Sequence, residues 1–74
     1  LMPTLTINQE GLDRLRAKLG KPTNDALARR MKVDSATVSR VLSGKATPGT
    51  RFIAGAMLAF GTSWFGELFQ VVDK

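Results

Sequence analysis

The stretch from Thr23 to Leu42, TNDALARRMKVDSATVSRVL, constrains this chain more than any other, because its apolar and small residues fall where two helices meeting at a tight turn need them. With Asn24 as the first position of the unit, Leu27 and Ala28 stand fourth and fifth, Met31 eighth, Val33 tenth, Val38 fifteenth and Val41 eighteenth. These are the inward-facing slots of one helix laid across another. Ala28 stands where the two helices approach most closely, so a small side chain there has a steric reason. Val33 in the turn, and Val38 and Val41 on the second helix, bury against the first. The unit, about residues 23–43, reads as a helix-turn-helix.

Punctuation along the rest of the chain divides it into short helices. Asn8 is a good N-cap for a first helix running to about Leu19, with Leu12, Leu15 and Leu19 as its buried stripe and Arg14, Arg16 and Lys18 largely outside. Gly20 ends it, Lys21 and Pro22 form the connection, and Thr23 caps the second helix, where Asp25 suits the positive N-terminal end. Asp34 caps a third helix from Ser35 to about Ser43, with Gly44 just beyond its end. Ala46 to Gly49 form a loop, and a fourth helix beginning near Thr50 runs through Phe60, with Phe52, Ile53, Ala56, Met57 and Phe60 as core contributors. Gly55 inside that helix costs about 1 kcal/mol relative to alanine, which a close approach of another helix would explain. Gly61 ends the fourth helix and Thr62 or Ser63 caps a short fifth one. Leu5–Ile7 and Val71–Val72 are the β-prone segments, and they are expected to pair into a small two-stranded ribbon joining the two ends. The fold expected is all-α: five helices in one domain covering residues 1–74, with that ribbon as its only sheet.

The unit, with Ser43, Gly44, Lys45 and Pro48 after it, resembles the phage-repressor and Cro-like helix-turn-helix family. The likeness covers roughly residues 8 to 70 and is most specific over residues 23 to 48. One position departs from the family pattern. Members often carry glycine at the first turn position, where a left-handed backbone is easiest, and this chain carries Lys32, at a cost of about 1 kcal/mol if that conformation is kept.

Composition sets bounds on function. Seventy-four residues leave room for one small core. Cysteine and histidine are absent, which removes disulfides, thiolate chemistry and the usual zinc ligands, so neither a metal nor a cofactor is expected. With six carboxylates and no histidine or cysteine, no set of nucleophile, base and orienting group is visible, and an enzyme is not expected. A membrane span or signal peptide is not indicated, and the resemblance implies the cytoplasm of a bacterial or phage-infected cell as the location. Leu1 ahead of Met2 points to Met2 as the native start. The net charge is +5, and ten of the eleven basic residues lie between Arg14 and Arg51, against Asp25 and Asp34 there. Positive charge can serve solubility alone. Its coincidence with the helix-turn-helix is what attraction to phosphate requires.

A helix fits the major groove of B-DNA, and side chains on its first turns reach base edges. The resemblance implies base-reading roles for Ser35, Ala36 and Arg40. Ala36, Ser39, Arg40 and Ser43 project from the third helix opposite Val38, Val41 and Leu42, so Ser39 and Ser43 join the base-reading candidates. Arg40 can donate two hydrogen bonds to guanine, worth roughly 1 to 3 kcal/mol of discrimination. The competing reading of Arg40 is a solvated surface arginine. The other side chains are short, so direct readout is expected to be modest and helped by water or DNA shape. Thr23 and Asn24 at the start of helix two, together with Thr37, Lys45, Thr47 and Arg51, are the candidates for phosphate contacts. Arg29 and Arg30, midway along helix two, are left out of the site.

Trp64, Phe65, Leu68, Phe69, Val71 and Val72 concentrate more apolar area than one short helix buries. They read as core or, around Trp64, Phe65 and Phe69, as a homodimer contact that sets half-site spacing on a near-palindromic operator. The leading expectation is a sequence-specific regulator of transcription acting on double-stranded DNA as a repressor would, with no small-molecule substrate and no membrane partner. The alternatives are the antitoxin of a toxin-antitoxin pair controlling its own promoter, or a protein-interaction module on the same fold. Binding to nucleic acid without sequence preference is a further possibility.

Overall fold

Three successive helices end in the same way, and those ends organise the middle of the chain. The computed structural model describes residues 1–73. In chain order they form β1 (Pro3–Ile7), α1 (Gln9–Lys18), α2 (Asn24–Met31), α3 (Ser35–Leu42), α4 (Thr50–Phe60), a 3₁₀ turn (Thr62–Trp64), α5 (Phe65–Leu68) and β2 (Phe69–Asp73). At the end of α1 the amide of Lys21 donates to the Arg16 carbonyl at 2.7 Å and that of Gly20 to Ala17 at 3.4 Å. Val33 and Lys32 repeat the pattern on Ala28 and Arg29, and Lys45 and Gly44 repeat it on Arg40 and Val41. Each is a Schellman closure, which satisfies the last carbonyls and demands a left-handed residue just past the helix. Gly20 (φ 80°) and Gly44 (φ 83°) supply it at two ends, and Lys32 at φ 59° supplies it at the third. The left-handed turn expected at Lys32 is therefore present, on a residue that adopts it at a cost.

The starts of these helices follow from polar side chains. Asn8 accepts the amides of Glu10 and Gly11, Thr23 that of Ala26, and Asp34 that of Thr37. Three residues, Lys32 to Asp34, connect α2 to α3. Across this connection Leu27, Val38 and Val41 are the most completely buried side chains, with Ala28 and Met31 beside them and half-buried Val33 packed on the same cluster. Truncating Leu27 to alanine would cost about 2–5 kcal/mol by removing contacts and leaving a void.

Two backbone approaches seat the remaining helices. A Cβ added at Gly55 of α4 would lie 2.3 Å from the Met31 carbonyl oxygen, so only glycine lets α4 meet the end of α2. At Gly11 of α1 the added Cβ would fall 1.6 Å from the Glu67 carbonyl oxygen in α5. The close approach at Gly55 agrees with its position inside a helix, whereas that at Gly11 was not expected. On α4, Phe52 and Ala56 are buried, with Ile53, Met57 and Phe60 half-buried against the core.

The ends of the chain pair as an antiparallel ribbon, with Leu5 opposite Val71 and Thr4 opposite Val72. It is longer than the expected segments, reaching from Pro3↔Asp73 to Ile7↔Phe69, and the bond from the Asn8 amide to the Leu68 carbonyl continues the contact. Ile7 and Phe69 anchor its inner end in the core. The described residues are thus mostly helical, with five α-helices and one two-stranded sheet. The fifth helix is a single four-residue turn preceded by a 3₁₀ turn, and neither Thr62 nor Ser63 caps it by a side-chain hydrogen bond. No helix among the described residues is long and apolar enough to cross a membrane.

Candidate nucleic-acid interface

The burial of Val38, Val41 and Leu42 turns the opposite side of α3 outward. Ser35, Ala36, Ser39, Arg40 and Ser43 are all exposed on it, so the five side chains proposed to read bases share one solvent-facing surface. The Ser43 hydroxyl donates to the Arg40 carbonyl at 3.1 Å, which ties it to the end of the helix. Lys45 follows immediately, exposed, with its amide on the same Arg40 carbonyl at 2.9 Å. Thr47 and Arg51 are exposed on either side of buried Pro48, which fixes the loop between α3 and α4 against the body of the domain.

Thr37 is half-buried, and its hydroxyl is already engaged on both sides. It donates to Asp34 Oδ1 at 2.8 Å and accepts from Arg40 Nη2 at 3.4 Å, while its amide donates to Asp34 Oδ2 at 2.9 Å. These contacts, the Thr37 hydroxyl first, hold the Asp34 carboxyl below the usual carboxylate range, and the nearby Arg40 charge acts in the same direction. A carboxylate therefore lies on the same side of α3 as the arginine. Capping was foreseen for Asp34, whereas its link through Thr37 to Arg40 was not. The spacing Asp34, Thr37, Arg40, with steps of three along a helix, is the signal that could have found it.

At the start of α2 the Thr23 hydroxyl is spent on capping, and the Asn24 carboxamide oxygen accepts from Arg16 Nη2 at 2.5 Å. What these two positions offer a phosphate is the unladdered backbone amides of the first turn. Arg16 was expected outside. It is half-buried and also donates to the Pro22 carbonyl at 3.0 Å, so it braces the connection between α1 and α2. Gln9 plays a similar part: its amide nitrogen donates to the Leu42 carbonyl at 2.8 Å and ties the start of α1 to the end of α3. Arg29 and Arg30 are exposed on α2.

The proposed aromatic dimer contact divides. Phe69 is buried, edge-on to Phe52 with centroids 6.2 Å apart, so it belongs to the core and is withdrawn from any interface. Trp64 is half-buried beneath the Lys18 ammonium, which lies 5.8 Å from its ring centroid. Phe65 is the most open of the three, at 41% exposure, and leans on Phe69. No protein-family model, curated protein or solved structure matches the chain.

Proposed function

We propose that the chain is a sequence-specific binder of double-stranded DNA that regulates transcription by occupying an operator, with α2 and α3 acting as a helix-turn-helix and α3 entering the major groove. The observation that carries this reading is the outer side of α3: small and polar side chains and one arginine, exposed rather than packed into the core, within the basic span from Arg14 to Arg51. Short side chains at Ser35, Ala36 and Ser39 allow the helix backbone to approach the bases closely, and Arg40 supplies the bidentate donor for guanine. Lys45, Thr47 and Arg51 flank the helix where phosphates would pass, and the amides at Thr23 and Asn24 add uncharged donors. The protein acts as a homodimer on DNA in this account, each copy reading one half-site. Selection of binding sites from random duplex DNA at near-physiological salt tests the proposal. An enriched inverted repeat is expected, and a pool without enrichment contradicts sequence-specific regulation.

A further inference from the structure

The outer side of α3 carries one fixed negative charge among its cationic and polar groups. Asp34 is exposed, yet two hydrogen bonds from Thr37 hold its carboxylate, and the same Thr37 oxygen reaches Arg40. The contacts run from the start of α3 to the residue proposed to read guanine, so carboxylate and guanidinium lie on one surface.

A helix N-terminus ordinarily presents partial positive charge and free amides to an anion. In α3 the chain's own anion occupies that place. A DNA phosphate brought to this end would meet a carboxylate well inside the Debye length and be repelled. A base edge is different, since the major-groove amino groups of cytosine and adenine donate to a carboxylate. The repulsion is therefore offset where such an amino group lies opposite Asp34, and persists elsewhere. The surrounding chain makes such a device useful: ten basic residues between Arg14 and Arg51 favour attraction to duplex DNA of any sequence.

We propose that Asp34 is a specificity-determining residue, a built-in anion that weakens binding to DNA of arbitrary sequence and so widens the margin between operator and non-operator sites, with Thr37 as the residue that positions it. The proposal rests on the reading of α3 as the DNA-entering helix.

The test measures affinity for random-sequence duplex DNA across a salt series, with D34N and D34S as variants that keep a capping side chain. D13N makes the same charge change on α1. Thermal melting of each variant establishes that it is folded. Both cap variants should bind random duplex about threefold more tightly at low salt, with D13N gaining less, and the preference for the selected site over random sequence should narrow. Unchanged or weaker binding of the cap variants to random duplex overturns the proposal, and so does an equal gain from D13N, which would be an effect of net charge alone. If the wild-type protein enriches a site and D34N prefers it by the same margin, the role of Asp34 fails while the DNA-reading assignment stands. A wild-type pool without any enriched sequence overturns that assignment and the role of Asp34 together.

Discussion

The α2–α3 unit and the terminal region, made of β1, α5 and β2, are both built from short elements, and they are held in opposite ways. Thr23 and Asp34 cap α2 and α3 from within, and the closures at Lys32 and Gly44 satisfy their far ends. The single turn of α5 has no side-chain cap. It is placed by the Glu67 carbonyl resting on Gly11, by the Arg14–Glu67 ion pair and by the ribbon that continues from it. Because that ion pair is exposed, the backbone approach matters more than the charges. Local closure leaves the side chains of Ser35, Ala36, Ser39 and Arg40 exposed on the outer side of α3. Non-local closure draws the terminal aromatic Phe69 into the core, while Phe65 and Val71 stay exposed.

The contrast is broken most severely at Gly11. Alanine there would drive a methyl group into the Glu67 carbonyl, and the loss expected is about 3 kcal/mol or more, enough to unfold much of so small a domain. Urea denaturation of Gly11→Ala checks it, and a midpoint near that of the wild type would show that α5 is not placed by this contact. Gly55→Ala asks whether the α2–α3 unit depends on α4. The 2.3 Å approach to the Met31 carbonyl predicts a loss of about 2 kcal/mol, again read from the denaturation midpoint. The smallest change goes the other way. Lys32→Gly relieves a left-handed lysine and should stabilise by up to about 1 kcal/mol, seen as a rise in melting temperature. A fall would mean that the lysine side chain contributes more than its backbone costs.

What could be read from the residues alone followed the same division. The caps at Asn8, Thr23 and Asp34, the left-handed position of Lys32 and the burial of Leu27, Val38 and Val41 depend on neighbours a few residues away, and all are present. The pairing of the two β-prone ends was legible because no other segments of that kind compete. Gly11, Gln9 and Arg16 were not, since each finds its partner through the tertiary fold: a carbonyl in α5, a carbonyl at the end of α3, and the connection into α2. Gly11 did carry a trace, as a glycine inside a helix, the cue that pointed to a close approach at Gly55. The terminal aromatics were left open between core and contact, because aromatic composition shows how much apolar area must be covered and says nothing about which ring turns inward; Phe69 is the ring that does. The exposure of Ala36, Ser39, Arg40 and Ser43 was legible from helical periodicity, whereas the Asp34–Thr37–Arg40 chain needed side-chain geometry.

The most direct test of the central claim, that the outer side of α3 reads DNA, is site selection with Arg40→Ala beside the wild type, each with its melting curve. The account predicts loss of preference at one position per half-site, specific binding weaker by about 1–3 kcal/mol, and an unchanged melting temperature. An unaltered preference profile in the folded variant would contradict it.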